Sequence, residues 1–325
     1  MSADDCPALQ VRGVTKRFTS VVANDAVDLS VERGEVVGLL GHNGAGKTTL
    51  VSQIVGLLKP DAGSIRVGEL DAVAQPAGVR RLVGLQPQVQ APIEGLTPRE
   101  AITLTARIRG LSRREARQQA ERLAEILDIT AWLDVRALPD GAGVSGGVRR
   151  LTSFAMAAIA PSPLIILDEP TNDVDPARRR RLWGLVRGLA DDGAGVLLVT
   201  HNVVEAERVV DQVAILDHGK IVAAGTPAQV RGADDSSLRL ELTLPPGENG
   251  AVDLAPPFPT IRCTQAGRRL LVTLATAQVG EAVAWSVDRR NAEQIEAYAL
   301  TPTSLEDTYL ALTEPMPDAP ELIDV

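Results

Sequence analysis

Several things are scarce in this chain, and each scarcity closes off a class of function. Two cysteines, Cys6 and Cys263, stand far apart without metal-ligand spacing. That excludes a disulfide framework and a cysteine zinc site, and fits a reducing cytoplasm. Basic residues are in deficit, 33 against 42 acidic, for a formal charge of -9. This is the wrong sign for wrapping nucleic acid or for being held by charge to anionic lipid, so nucleic acid is not expected as a partner. Long apolar runs are missing too. The nearest, LTSFAMAAIAPSPLIIL at 151–167, is divided by Pro161 and Pro163 and falls short of the roughly 18 uninterrupted residues of a span. It reads as a buried helix followed by a buried strand. The opening MSADDCPALQ lacks the basic region and apolar core of a signal peptide. What remains is 45% hydrophobic over 325 residues, enough for two globular domains.

Short apolar runs and turns over residues 9–40 suggest strands of a small sheet, the last of them, EVVGLLG, ending in a glycine-rich turn. Residues 98–128 are rich in Ala, Arg, Glu and Leu at helical spacing, which predicts a helical insertion. Continuous strands return at PLIIL and GVLLVT, with a helix from about Ala177 to Leu189 between them. Strand-helix-strand alternation makes the core α/β with a parallel sheet. RGADDSS at 231–237 reads as a linker, so the first domain is placed at 1–235, with a helical subdomain at about 89–160. A small α+β domain is expected over 236–313, closing with a helix at TSLEDTYLAL whose Thr303 and Glu306 have capping-box spacing. The acidic, proline-containing 314–325 is expected to be a disordered tail.

GHNGAGKT, residues 41–48, matches GxxxxGK[ST] between an apolar strand and the helix-compatible TTLVSQIVGLL. Glycines let backbone NH groups close around phosphate oxygens, and the helix start adds a favourable dipole. Lys47 would neutralise the outer phosphates, and Thr48 would ligate Mg²⁺ through its hydroxyl. LIILDEPT at 164–171 puts Asp168 and Glu169 at the end of a buried strand. Asp168 can hold Mg²⁺ and Glu169 can polarise an attacking water, since a parallel sheet brings both strand ends to one edge. The segment VSGGVRR at 144–150 is open to two readings: Ser145 as a plain helix cap, or something that its surroundings define.

Taken in order, GHNGAGKT, VSGG, LIILDEPT, NDVDP and TH over about residues 9–228 resemble the nucleotide-binding subunit of an ABC transporter. The resemblance implies a P-loop ATPase fold of the ABC type, with ATP and Mg²⁺ as ligands. ATP would be held by Gly41, Asn43, Gly44, Ala45, Gly46, Lys47, Thr48 and Thr49, with Phe18 stacking on adenine. Metal would be held by Thr48, Asp168 and Gln88; Gln86 is the rival for that glutamine. Glu169, His201 and Gln88 are the implied catalytic residues, His201 contacting the γ-phosphate. Ser145, Gly146 and Gly147 would complete the site of a second subunit, and Asp175 would contact that subunit. His42 and His218 have no comparable role.

Two positions depart from the family pattern. Val148 stands where the signature usually has glutamine, and Asp173 where the subunit-crossing loop usually has glycine. The basic run Arg178–Arg181 is expected on a solvated helix face. The implied assembly is a homodimer or heterodimer of ATP-binding subunits around two ATP-Mg²⁺, acting on a separate integral-membrane permease from the cytoplasmic side of the membrane. The C-terminal TPTSLEDTYLALTE resembles exporter subunits, which favours export. A ribosome- or DNA-associated ATPase would instead carry two cassettes or long heptads, and a regulatory binding module would be expected to lose Glu169.

Overall fold

In the computed structural model, residues 6–90, 92–139, 143–231, 237–246, 254–302 and 304–313 are described. The chain divides into two compact units, Met1–Pro227 and Ala228–Val325.

The first unit opens with β1 (Leu9–Phe18), β2 (Val21–Val31) and β3 (Val36–Leu40), followed by α1 (Lys47–Ile54), β4 (Ala62–Val67), β5 (Leu70–Asp71), α2 (Pro76–Leu82) and β6 (Val83–Gln86). Then come three helices, α3 (Pro98–Ile108), α4 (Arg113–Ile126) and α5 (Gly146–Ala158), before β7 (Leu164–Asp168), α6 (Pro176–Asp191), β8 (Gly195–Thr200), α7 (Val203–Ala206), β9 (Gln212–Asp217) and β10 (Lys220–Gly225). Strands β2-β1-β4-β5 form an antiparallel sheet. A second sheet has the order β10-β9-β3-β8-β7-β6, parallel from β9 to β6 and closed by antiparallel β10. Every residue of β3, β7 and β8 is buried, as expected where a parallel sheet is covered on both faces. One aliphatic core, including Leu9, Leu39, Leu50, Ile65 and Leu197, runs through both sheets.

The helical insertion is interrupted rather than continuous. Thr97 and Ser112 each form a capping box, with Glu100 and Glu115, so α3 and α4 start independently on either side of Gly110. Buried Phe154 lies on α5, which packs against β6 and β7. Among the described residues no helix is long and apolar enough to cross a membrane.

Short α8 (Pro227–Val230) lies at the division. The second unit contains β11 (Ser237–Thr243), β12 (Arg262–Ala266), β13 (Arg269–Ala275), α9 (Val279–Asn291), β14 (Ala297–Pro302) and α10 (Leu305–Thr313). Its strands form one antiparallel sheet, β12-β13-β11-β14. Alternate residues of β11 and β13, Leu240, Leu242, Leu270, Val272 and Leu274, enter a core with Phe258 and Trp285, whose rings meet edge-on at 5.8 Å. At the last helix the cap lies one residue beyond the expected one: Ser304 Oγ accepts from Asp307 N (3.2 Å), and Asp307 returns a bond to Ser304 N (2.9 Å). Thr303 and 314–325 fall outside the described residues, as do 232–236 of the expected linker.

Candidate functional site

The site forms where β3 and β7 end on either side of β8, at the carboxyl edge of the parallel sheet. Leaving β3, the chain turns through Gly41–Gly46 into α1. Gly44 and Gly46 take φ of +92° and +108°, and a Cβ on Gly46 would run into the carbonyl oxygen of Ala23. Only glycine fits there. The loop is braced from below: buried Gln53 donates to Asn24 Oδ1 (2.7 Å), and Asn24 donates to Gly46 O (3.3 Å). Lys47, itself buried, sends its ammonium back to the carbonyls of Gly41 (2.6 Å) and His42 (3.0 Å). Burial pulls its pKa below the ordinary lysine value, against the upward pull of Glu169 and Asp168.

A cleft of about 540 Å³ is lined by Asn43, Gly44, Gly46, Lys47, Thr48 and Thr49 on one side and by Gln88, Asp168 and Glu169 on another. Ser20–Ala23, His218 and Gly219 complete it. Asp168 is pushed up to about 6, first by burial and then by the charge of Glu169. This buried carboxylate, lining the same cleft as a threonine hydroxyl and a glutamine amide, offers the hard oxygen donors that suit Mg²⁺. Gln88 lines the cleft, whereas Gln86 is fully buried behind it and donates to Arg150 O (3.2 Å).

Glu169 takes a left-handed φ of +50°, a costly conformation for a residue with a side chain. Its amide donates to Val199 O (2.8 Å), and its buried carboxylate accepts from Thr200 Oγ1 (2.9 Å) and His201 N (2.9 Å). His201 Nδ1 lies 2.6 Å from the same carboxylate. The glutamate at the end of β7 and the histidine after β8 therefore form one unit.

Phe18 is 44% exposed at the end of β1, paired in register with cleft-lining Val21, and Lys16 Nζ lies 5.5 Å from its ring centre. Ser145, Gly146 and Gly147 do not line this cleft. Ser145 caps α5, accepting from Val148 N (3.4 Å). A Cβ on Gly147 would come within 2.5 Å of Asp173 O, so the signature and the loop after β7 are pressed together at a glycine. Asp173 has φ +64°, in the left-handed region that glycine favours and aspartate tolerates better than most residues. Asp175 caps α6 through the amides of Ala177 and Arg178 (both 3.1 Å), bonds that hold its carboxyl below its usual range.

The run Arg178–Arg181 is not simply a solvated face. Arg178 donates to Asp128 O (3.0 Å), pairs with Asp175 (3.1 Å) and lies over the Trp132 ring at 4.6 Å. Arg179 reaches Val174 O (2.6 Å) and Glu205 (2.5 Å). Carbonyl oxygens left over by loops and helix ends recruit these guanidinium groups, a demand invisible in the charge pattern. Composition also hid the buried Asn24–Gln53 brace and the turn at His218–Gly219. For the turn a signal exists in hindsight: a two-residue polar-Gly turn between apolar strands.

A profile of the ABC transporter family matches residues 24–172. The daunorubicin/doxorubicin resistance ATP-binding protein DrrA of Streptomyces peucetius is 33% identical over 316 residues, covering 96% of this chain and 94% of that protein. A Mycobacterium tuberculosis protein described as doxorubicin resistance ATP-binding protein DrrA is 38% identical over 231 residues, 70% of this chain and 68% of its own. Among solved structures, an ATP-binding subunit of an ABC transporter aligns with a TM-score of 0.64 at 31% identity, over 69% of this chain and 92% of that one. A dimeric cassette in a post-hydrolysis state with ADP and Pi shares the fold, with a TM-score of 0.60 at 24% identity over 67% and 98% of the two chains. The fold and the site thus define a P-loop ATPase cassette. The chain belongs to the ATP-binding, ATP-hydrolysing subunits of ABC transporters and is homologous to drug-resistance exporter ATPases.

Proposed function

We propose that this subunit powers a separate membrane permease working in the export direction, from the cytoplasmic face of the membrane, with Glu169 as the base of the hydrolytic step. The observation that carries this reading is the Glu169 carboxylate, buried and anchored by Thr200 and His201 at the cleft that also holds Lys47 and Asp168. Anchoring by two partners fixes the carboxylate where it can accept a proton from a water attacking the γ-phosphate. His201, bonded to Glu169, orients it and reaches the same phosphate. Asn43–Thr49 and the loop amides hold the triphosphate, Gly41 and Ala45 shape the loop, and Phe18 takes adenine at the rim.

Thr48, Asp168 and Gln88 would hold Mg²⁺, which would offset the negative charge of the phosphates. Ser145, Gly146 and Gly147, set apart from this chain's own cleft, serve a second subunit, and Asp175 lies on the contact between them. The dimer seen for a related cassette supports that arrangement, and full-length similarity to drug-resistance ATP-binding proteins supports export. The second unit serves assembly, since the cleft is lined by the first alone.

The test is Glu169→Gln, which keeps shape and removes the base. ATP binding should persist while turnover falls about 10²- to 10⁴-fold. Turnover within twofold of the parent would remove Glu169 from this role.

A further inference from the structure

Beside the nucleotide cleft, outside the residues assigned to ATP and Mg²⁺, three side chains converge: His42 from the loop after β3, and Asp217 and His218 from the β9–β10 hairpin. One ligand atom from each lies within 4.8 Å of the others. His42 Nε2 stands 3.1 Å from Asp217 Oδ1, and His218 Nε2 stands 3.9 Å from Asp217 Oδ2. The two imidazole rings lie 5.5 Å apart between centres, tilted by 60°.

Three observations favour a metal ion over a simple ion pair. His42 Nδ1 lies 2.7 Å from Asn43 O, and a carbonyl can only accept, so Nδ1 carries a proton. In the neutral ring the Nε2 lone pair then points at a carboxylate oxygen, an arrangement that a cation between them resolves. A backbone carbonyl holding the far nitrogen is also the usual outer support of a metal-bound histidine. Second, Asp217 Oδ1 is buried and has no hydrogen-bond partner among the described residues. Third, the turn that presents His218 is held in place: His218 and Gly219 take φ of +44° and +80°, Gly219 N donates to Ala45 O (3.0 Å), and Asp25 N donates to Gly219 O (2.8 Å). The two sides of the cluster thus share a backbone frame.

We infer that His42, Asp217 and His218 form a binding site for a divalent transition-metal ion of the Zn²⁺ class, bridging the phosphate-binding loop and the β9–β10 turn. Two imidazoles and one carboxylate suit Zn²⁺ and disfavour Mg²⁺, which prefers oxygen donors alone. Ligand bonds of about 2.0–2.1 Å in a tetrahedron place donor atoms about 3.3 Å apart. The His42–Asp217 separation already meets that spacing. His218, 85% exposed, closes the remainder by side-chain rotation, leaving the fourth position to water.

The test uses the full chain without a histidine tag and Zn²⁺ alone, with no nucleotide present. Titration against a chromophoric chelator should show one Zn²⁺ per chain, undisturbed by excess Mg²⁺. His42→Gln and His218→Gln should each weaken it about tenfold or more, and Co²⁺ in the same site should lose its visible absorption in both. His218→Gln changes an exposed side chain, so it remains informative if His42→Gln disturbs the loop. His201→Gln should leave the affinity unchanged. Zn²⁺ bound no more tightly by the parent than by the His42→Gln/His218→Gln double variant overturns the assignment, whether nothing binds or the ion sits elsewhere.

Discussion

The two units bury different things. Among the described residues, the first buries Lys47, Asp168, Glu169, Arg149 and Arg150 along with Asn24, Gln53, Gln86 and several hydroxyls, whereas the second buries one polar side chain, Ser286, whose hydroxyl donates to Ala282 O (2.7 Å). Taking charge out of water costs free energy unless partners are at hand. Part of that cost falls at the ends of β3 and β7, where Lys47, Asp168 and Glu169 meet at the cleft. Without a buried charge among its described residues, the second unit is a core of aliphatic and aromatic side chains under a sheet. The buried charges that line the cleft all belong to the first unit.

Breaking that contrast at its strongest point means removing a buried charge that faces phosphate. Lys47→Ala should lower ATP affinity about 10- to 100-fold, the equivalent of about 1.5–3 kcal/mol for a hydrogen bond to a charged group, measured by equilibrium binding of a fluorescent nucleotide. An unchanged affinity would mean the ammonium serves only the carbonyls of Gly41 and His42.

A core deletion in the second unit should do the opposite. Leu240→Ala, at a fully buried position, should cost about 2–5 kcal/mol of that unit's stability while nucleotide affinity stays within about twofold. Denaturant unfolding followed by Trp285 fluorescence reports the first quantity. Loss of nucleotide binding together with it would show that the units do not fold independently.

The carboxylate pair sharpens the comparison through pH. Asp168 has a folded-state pKa of about 6 against an ordinary 3.8, so the folded state holds this proton more tightly than the unfolded chain does. Stability from this group is therefore fully present below about pH 4 and lost as pH rises to about 6. Above that the ionised form carries a penalty of about 1–3 kcal/mol. Asp168→Asn should raise the melting temperature at pH 7, and the gain should vanish near pH 4. A gain equal at both pH values would place its origin elsewhere.

The smallest expected effect is at the rim of the second unit. Arg239 pairs with Asp307 at 2.8 Å, tying β11 to α10. Arg239→Ala should cost about 0.5–1 kcal/mol, as partly exposed pairs do, with ATP turnover within about twofold; a calorimetric scan beside a turnover assay checks both.

Residues whose chemistry depends on local order were legible from sequence. GHNGAGKT needs only a strand before it and a helix after it, and the Asp168–Glu169 pair needs only a buried strand to end on. The fold class followed from the same runs, because fully apolar strands alternating with helices leave few alternatives. What stayed hidden depends on approach between distant segments. Asn24 and Gln53 are 29 residues apart and look like ordinary polar positions until β2 is laid under the loop. His218 resembles any turn residue until the β9–β10 hairpin brings it to the cleft. Likewise the Arg178–Arg181 run found partners at residues 128, 174, 175 and 205, none of which its own composition identifies.

Arg178 acts as a mechanical part of the first unit. Its guanidinium is planar and rigid, and it is held on one face by Trp132, at one edge by Asp128 O and at another by Asp175 Oδ2. Such a group resists displacement, because sliding or turning it would break the stack and both directional bonds at once. The start of α6 and the end of the α4 segment are therefore clamped by a single side chain, and while these contacts last they are held as one piece.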